Sequence, residues 1–275
     1  MKNYTFAPGT AIVTGAASGI GEALAHGLAT RGSSLVLLDR DVDRLMAVAT
    51  SIGSSYPGLI IDTVVVDLSD TKATDEMGAQ LAAEHPETTL LINCAGVALG
   101  GTFDQLTLDE FNWLMDINFR AVVTLTHHLL PVLQTHPGAH LANVSSVFGI
   151  IAPPGQSAYV SSKFAVRGFT EAIRSESCGR GVGVTVIHPG GIKTRIADTA
   201  RSGSGVPANE AQKGRDAFNR FLTIAPESAA RVILNGIERR KERVLIGASA
   251  KLPDIIARIA PAHTIPILNR IRPSR

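Results

Sequence analysis

Residues 157 to 163 read SAYVSSK and place Tyr159 four positions ahead of Lys163 among small and apolar neighbours. At that spacing two residues share one helical face, so a phenol and an ammonium project into a single pocket. A free phenol ionises near about pH 10, too high for a base at neutrality. A neighbouring positive charge favours phenolate, so lysine is expected to draw the tyrosine down and activate it. Taken alone, a tyrosine and a lysine at this spacing also arise by chance. Ser146 lies thirteen residues before the tyrosine, at the end of HLANVSS. It offers a hydroxyl that can hydrogen-bond a reacting oxygen beyond a strand end. Asn118, in MDINF, falls within a helical pattern although asparagine is a poor helix former. It reads either as a satisfied core amide or as part of the chemistry.

A second constellation begins at TGAASGIGEALA, where Gly15, Gly19 and Gly21 lead into a helix, with Ser18 and Ile20 between them. Glycines let the backbone turn sharply and let a pyrophosphate approach the free amides and positive dipole end of the helix. The spacing is GxxxGxG and not the commoner GxGxxG, so a turn needed only for packing stays open beside dinucleotide binding. Asp39 closes the second apolar run, at the distance where an acid accepts hydrogen bonds from an adenosine ribose. Its charge repels a 2′-phosphate and favours NAD. Arg40 follows at once and can pair with that phosphate, which keeps NADP possible, or it is a solvated loop cation. Asp67 and Leu68 end the third run, placed to meet an adenine ring. NCAG, Asn93 to Gly96, ends the fourth. Asn93 reads equally as crevice floor or as a turn residue, while Ala95 and Gly96 keep the floor open.

These residues need a scaffold, and the apolar pattern supplies one. Short runs at 11–15, 34–39, 59–67, 89–96, 140–146, 183–190 and 243–247 read as buried strands, with helical spacing between them. Strands apolar on both faces and joined by helices predict an α/β fold, a doubly wound parallel sheet with helices on both sides. One domain is expected over residues 1–247, including a substrate-loop region at 190–225. Residues 190–215, rich in Gly, Ser and charge, suggest a mobile lid. Residues 248–275 form an amphipathic tail in which Lys251, Arg258, Arg270, Arg272 and Arg275 alternate with isoleucines and four prolines. The tail reads as a helix covering the substrate pocket or a partner subunit, or as a basic segment on a membrane surface.

Composition narrows the partners. The chain has 275 residues, a formal net charge of +2 and no basic stripe, which argues against nucleic acid. No apolar stretch has the length of a membrane span. Two cysteines and no leader pattern suggest the cytoplasm. No HExxH, CxxC or acidic cluster suggests a metal, and neither a GxSxG elbow nor a Walker loop appears.

Taken together, the motifs resemble the short-chain dehydrogenase/reductase family over roughly residues 8 to 247. TGAASGIG resembles its cofactor turn, NCAG its NNAG motif with Cys94 in place of an asparagine, NVSS its active-site strand, YVSSK its YxxxK and PGGIKT its PGxxxT segment. The resemblance implies a single-domain Rossmann-type fold binding NAD(P), with Tyr159 as acid or base, Lys163 holding the nicotinamide ribose, Ser146 orienting the substrate oxygen and Asn118 supporting a proton-relay water. It implies Pro189, Gly190, Ile192 and Thr194 as contacts on the nicotinamide side, and a homodimer or homotetramer. Cys94 is expected to alter packing and not to remove activity. Phe148, Ile150, Ile151 and the proline pair at 153 and 154 suggest an apolar wall for a hydrophobic ketone or secondary alcohol. Epimerase or dehydratase chemistry on the same fold, and a dinucleotide-binding protein without turnover, are the alternatives.

Overall fold

The apolar runs become the strands of one sheet: β1 Thr10–Thr14, β2 Ser34–Asp39, β3 Ile61–Val65, β4 Thr88–Asn93, β5 His140–Val144, β6 Gly183–Pro189 and β7 Arg243–Ile246. The computed structural model describes residues 2–271, and their side chains as far as 268. The strands lie in the order β3-β2-β1-β4-β5-β6-β7 and every pairing is parallel. Parallel neighbours cannot be joined by a tight turn, so the chain returns through helices. These include α1 Gly19–Ala29, α2 Val42–Ser55, α3 Thr71–Glu84, α4 Leu108–Met115, α5 Ala121–Thr135, α6 Ser157–Glu176, α7 Ala208–Phe221 and α8 Pro226–Glu238.

Successive strand side chains point to opposite faces. In β1, Ala11 and Val13 join Leu24 and Leu28 of α1, Leu45 of α2 and Ile233 of α8, whereas Ile12 joins Leu81 of α3 and Leu125 and Leu129 of α5. Both faces are therefore covered, which is why the strand is apolar at every position but its ends. Each fully buried leucine or isoleucine contributes roughly 1.5–3 kcal/mol. The fold is thus the doubly wound α/β sheet that the alternation predicts. β3, expected over 59–67, is shorter because it lies at the sheet edge, where Ile60 and Val65 are exposed.

Strand order reverses between β1 and β4, so their connections leave toward opposite faces and a crevice opens beyond their C-terminal ends. The segment expected as a mobile lid is tied down. Arg201–Ser202 pairs in parallel with Leu99–Gly100, the Ser204 amide donates to Glu110 at 2.9 Å, and helix α7 begins at Ala208. The tail forms α9 Ala248–Ile259 and α10 Thr264–Ile271. Asp254 of α9 is buried and accepts from Arg243 of β7 at 2.6 Å and from Arg258 at 3.2 Å. α9 therefore sits against the last strand and contributes nothing to the lining of the crevice. Arg272 and Arg275 of the basic pattern lie outside the described residues, as do the side chains of Arg270 and Ile271.

Candidate active site

At the crevice, β1 and β4 are joined by Thr14, whose hydroxyl accepts from the amides of Cys94 at 2.9 Å and Ala95 at 3.0 Å. The turn that follows needs glycine. Gly15 has φ +71°, and a Cβ there would meet the Ala95 Cα at 2.8 Å; Gly19 has φ +58°, and a Cβ would meet Thr194 Cγ2 at 2.8 Å. Ser18 makes no side-chain cap on α1, so the first amides of the helix meet the crevice without a competing oxygen. Asp39 holds this turn in place, accepting from the Ala17 amide at 3.0 Å and the Asp41 amide at 3.1 Å. Arg40 lies 3.9 Å from the carboxylate of Asp67, with both side chains about half exposed. Such a pair contributes at most about 1 kcal/mol. Burial raises the Asp67 carboxyl, but the hydrogen bonds from Ser69 and the charge of Arg40 outweigh it and leave the group below its usual value.

The result is a cleft of about 390 Å³. Gly15, Ser18, Gly19, Ile20, Gly21, Asp39, Arg40, Asp67, Leu68, Ala95, Gly96, Pro189, Gly190, Ile192 and Thr194 line it, together with Ser146, Tyr159 and Lys163. Asn93 and Asn118 do not. Asn93 is buried and donates to Asn143 at 2.8 Å and to Thr126 at 3.3 Å, clamping β4 to β5 and α5. Asn118 sits in a π-turn, Asp116–Arg120, inserted between α4 and α5. Its Oδ1 accepts from the Val97 amide at 2.8 Å, and its Nδ2 donates to the Val97 carbonyl at 3.0 Å and Ser162 at 3.2 Å. π-turns cluster at functional sites because the extra residue re-aims a side chain. Here it aims an amide at the strand exit that forms the cleft floor.

Helix α6 carries Tyr159 and Lys163 on one buried face. Lys163 Nζ lies 5.7 Å from the tyrosine ring centroid and donates to the Val144 carbonyl at 3.2 Å. Ser146 Oγ accepts from the Phe148 amide at 3.1 Å, which leaves the hydroxyl proton for another acceptor. Burial pushes the phenol up to about 12, with the Ser146 side chain acting the other way. Burial pulls Lys163 down to about 8 against the opposing influence of Cys94, whose own thiol burial raises to about 12. The protein groups by themselves thus leave the phenol raised. Desolvation wins, and Tyr159 is a protonated acid at neutral pH.

Sequence reasoning missed part of the wall. Of the expected apolar residues only Phe148 lines the cleft, while Ile150 is packed away from it. Further apolar surface comes from Val147, Ile196, Phe218 and Phe221 of α7, and Leu222 just beyond its end. Two aromatics three positions apart in an otherwise polar helix were the available signal. The donor set fits a dinucleotide: bare backbone at Gly15 to Gly21 suits a pyrophosphate, Asp39 a ribose diol, and the cleft leads on to Tyr159. Among the described residues, no group of three or more His, Cys, Asp or Glu side chains could hold a metal ion, and no helix is long and apolar enough to cross a membrane.

Comparison with known proteins gives concordant findings. The profile of the family described as short chain dehydrogenase matches residues 9–205. The Mycobacterium tuberculosis protein SadH is 37% identical over 255 residues, spanning 90% of each chain. A short chain dehydrogenase/reductase from Burkholderia phymatum, solved in complex with NAD, superposes with a TM-score of 0.82 at 25% identity, covering 99% of this chain and 98% of that one. A metagenomic short-chain oxidoreductase in complex with NADP gives 0.69 at 26% identity, covering 86% and 96%.

Proposed function

The chain belongs to the short-chain dehydrogenase/reductase family, and from that premise we propose that it interconverts a hydrophobic ketone and the matching secondary alcohol with a nicotinamide dinucleotide. The observation that carries the reading is the convergence of Ser146, Tyr159 and Lys163 on the same cleft as the glycine turn. When bound, the nicotinamide supplies or accepts the hydride. In reduction, the phenol of Tyr159 gives its proton to the carbonyl oxygen, and the Ser146 hydroxyl donates a hydrogen bond to the same oxygen, stabilising the charge that develops there. Lys163 holds the nicotinamide ribose and keeps a positive charge beside the phenol. In oxidation the phenol must first lose its proton, a loss that the Lys163 charge favours. Asn118 supports a proton-relay water from its position against Val97 and Ser162.

Gly15, Ser18, Gly19, Ile20 and Gly21 would hold the pyrophosphate, Asp39, Arg40, Asp67 and Leu68 the adenosine, and Pro189, Gly190, Ile192 and Thr194 the nicotinamide side. NAD is preferred over NADP, since Asp39 presents a negative charge where a 2′-phosphate would sit, while Arg40, only weakly paired with Asp67, keeps a route to NADP open. Ile196, Phe148, Phe218 and Phe221 support an apolar substrate. The assembly is a homodimer or homotetramer in the cytoplasm, in which α6, with its exposed Phe164, and the helix carrying Asn118 pack against their counterparts. Turnover of apolar ketones with NADH exceeding that with NADPH tests the reading; activity confined to charged hydrophilic substrates contradicts its substrate half.

A further inference from the structure

Behind Ser146 lies a group of buried and half-buried titratable side chains with no part in the chemistry just described. His188 of β6 is fully buried, and its Nδ1 lies 2.9 Å from the Ser146 carbonyl oxygen. A carbonyl oxygen only accepts, so Nδ1 carries the proton and donates it, leaving Nε2 a bare lone pair. That Nε2 has no protein partner, and neither has the buried Nε of Arg243 on the adjacent strand β7. The charged groups facing the imidazole are Arg243 from β7, Arg167 from α6 and Asp254 from α9. Asp254 is already shared by Arg243 and Arg258. A second proton on His188 would thus add charge beside two guanidiniums with no free carboxylate, so the ring stays neutral and keeps one orientation.

Ser146 stands where β5 gives way to the short turn Val147–Gly149. Its carbonyl also accepts from the Gly149 amide at 3.0 Å, and Arg167 reaches the Gly149 carbonyl at 3.3 Å. The Gly149 bond closes the turn upon itself. Among the described residues, His188 is the side chain that ties the serine's own carbonyl to the sheet. We propose that His188 is a positioning residue for Ser146, its Nδ1–H anchoring the serine carbonyl to β6 and so fixing where the serine hydroxyl meets the substrate oxygen. The inference rests on the role given to Ser146 above.

Steady-state kinetics and cofactor binding on the full chain test it, using His188→Leu, His188→Asn, Ser146→Ala and the His188→Leu/Ser146→Ala double variant. His188→Leu should lower kcat roughly ten- to hundredfold, the scale of a small misplacement of a reacting group, while the cofactor Kd stays within about twofold. His188→Asn, whose amide can donate from near the Nδ1 position, should recover most of the loss. On the Ser146→Ala background, His188→Leu should cost less than about threefold, because two groups acting as one unit are not additive. An equal fold-loss with and without Ser146, or a loss matched by weaker cofactor binding and not recovered by asparagine, overturns the proposal. If the leucine variant does not fold, His188→Asn against His188→Gln decides: glutamine places its amide near Nε2 and should stay impaired, and equal activities overturn the proposal. Full activity of Ser146→Ala would remove the serine reading itself. Impaired Ser146→Ala beside wild-type His188→Leu would remove only the histidine's part.

Discussion

Tyr159 and Lys163 share a helical face, as their spacing predicts, but burial and not the ammonium sets the protonation of the phenol in the protein alone. The sign has a kinetic consequence. A phenol raised to about 12 is ready as an acid and scarce as a base, so carbonyl reduction should run near its maximum at neutral pH, whereas alcohol oxidation should climb as pH rises through the alkaline range. Initial rates in both directions from about pH 6 to 10 check this, and an oxidation rate flat across the range would contradict it. Asp39→Ala removes the charge expected to repel a 2′-phosphate and should raise the NADPH to NADH ratio of kcat/KM by roughly tenfold or more, measured with one ketone. Residues such as Tyr159, Ser146 and Asp39 were legible because the chemistry demands their types at strand and helix ends. Asn93 was not, since its meaning depends on Asn143 and Thr126, which other elements bring to it.

The elements were legible to the degree that burial marks them. β1 and β2 are apolar on both faces, and β2 keeps its expected bounds while β1 shifts by one residue to Thr10–Thr14; β3 shortens because an edge strand keeps apolar residues such as Ile60 in solvent. Helix α7 has no buried residue and is polar on average, so a segment that folds into a helix after Pro207 reads as loop despite Phe218 and Phe221 at helical spacing. Its Phe218 nonetheless lines the cleft. Phe218→Ala should raise KM for apolar ketones by roughly ten- to hundredfold, the worth of a few lost apolar contacts, and leave cofactor Kd unchanged. By contrast, Leu28→Ala, on the face of α1 that packs on the sheet, should cost about 2–5 kcal/mol in denaturant unfolding while the folded fraction keeps its kinetics. Loss of turnover without loss of stability would place Leu28 in the site and contradict the division of labour between the packed face of α1 and its N-terminal turn.

Across the whole molecule, the parallel sheet and its two helical layers were readable from alternation, while the strand order came from the structure and the seat of the tail depends on an ion pair between Arg243 and Asp254. Two histidines buried in the sheet tie stability to pH. Burial, with nearby arginines, pulls His188 down to about 4 and His140 to about 3. Both values lie below the roughly 6.5 of an unfolded histidine, so the unfolded chain binds protons that the folded one refuses. Their contribution is complete above about pH 6.5 and is lost as pH falls from there toward about 4, so Tm should decline over that window. A Tm constant across it would contradict neutral burial of the pair. The most direct test of the central claim is spectrophotometric: oxidation of NADH and NADPH by a panel of apolar ketones, wild type against Tyr159→Phe, with cofactor binding measured on both. The account predicts turnover by the wild type, a loss of at least about a hundredfold in the variant, and equal cofactor affinity. Equal turnover by the two proteins would contradict it.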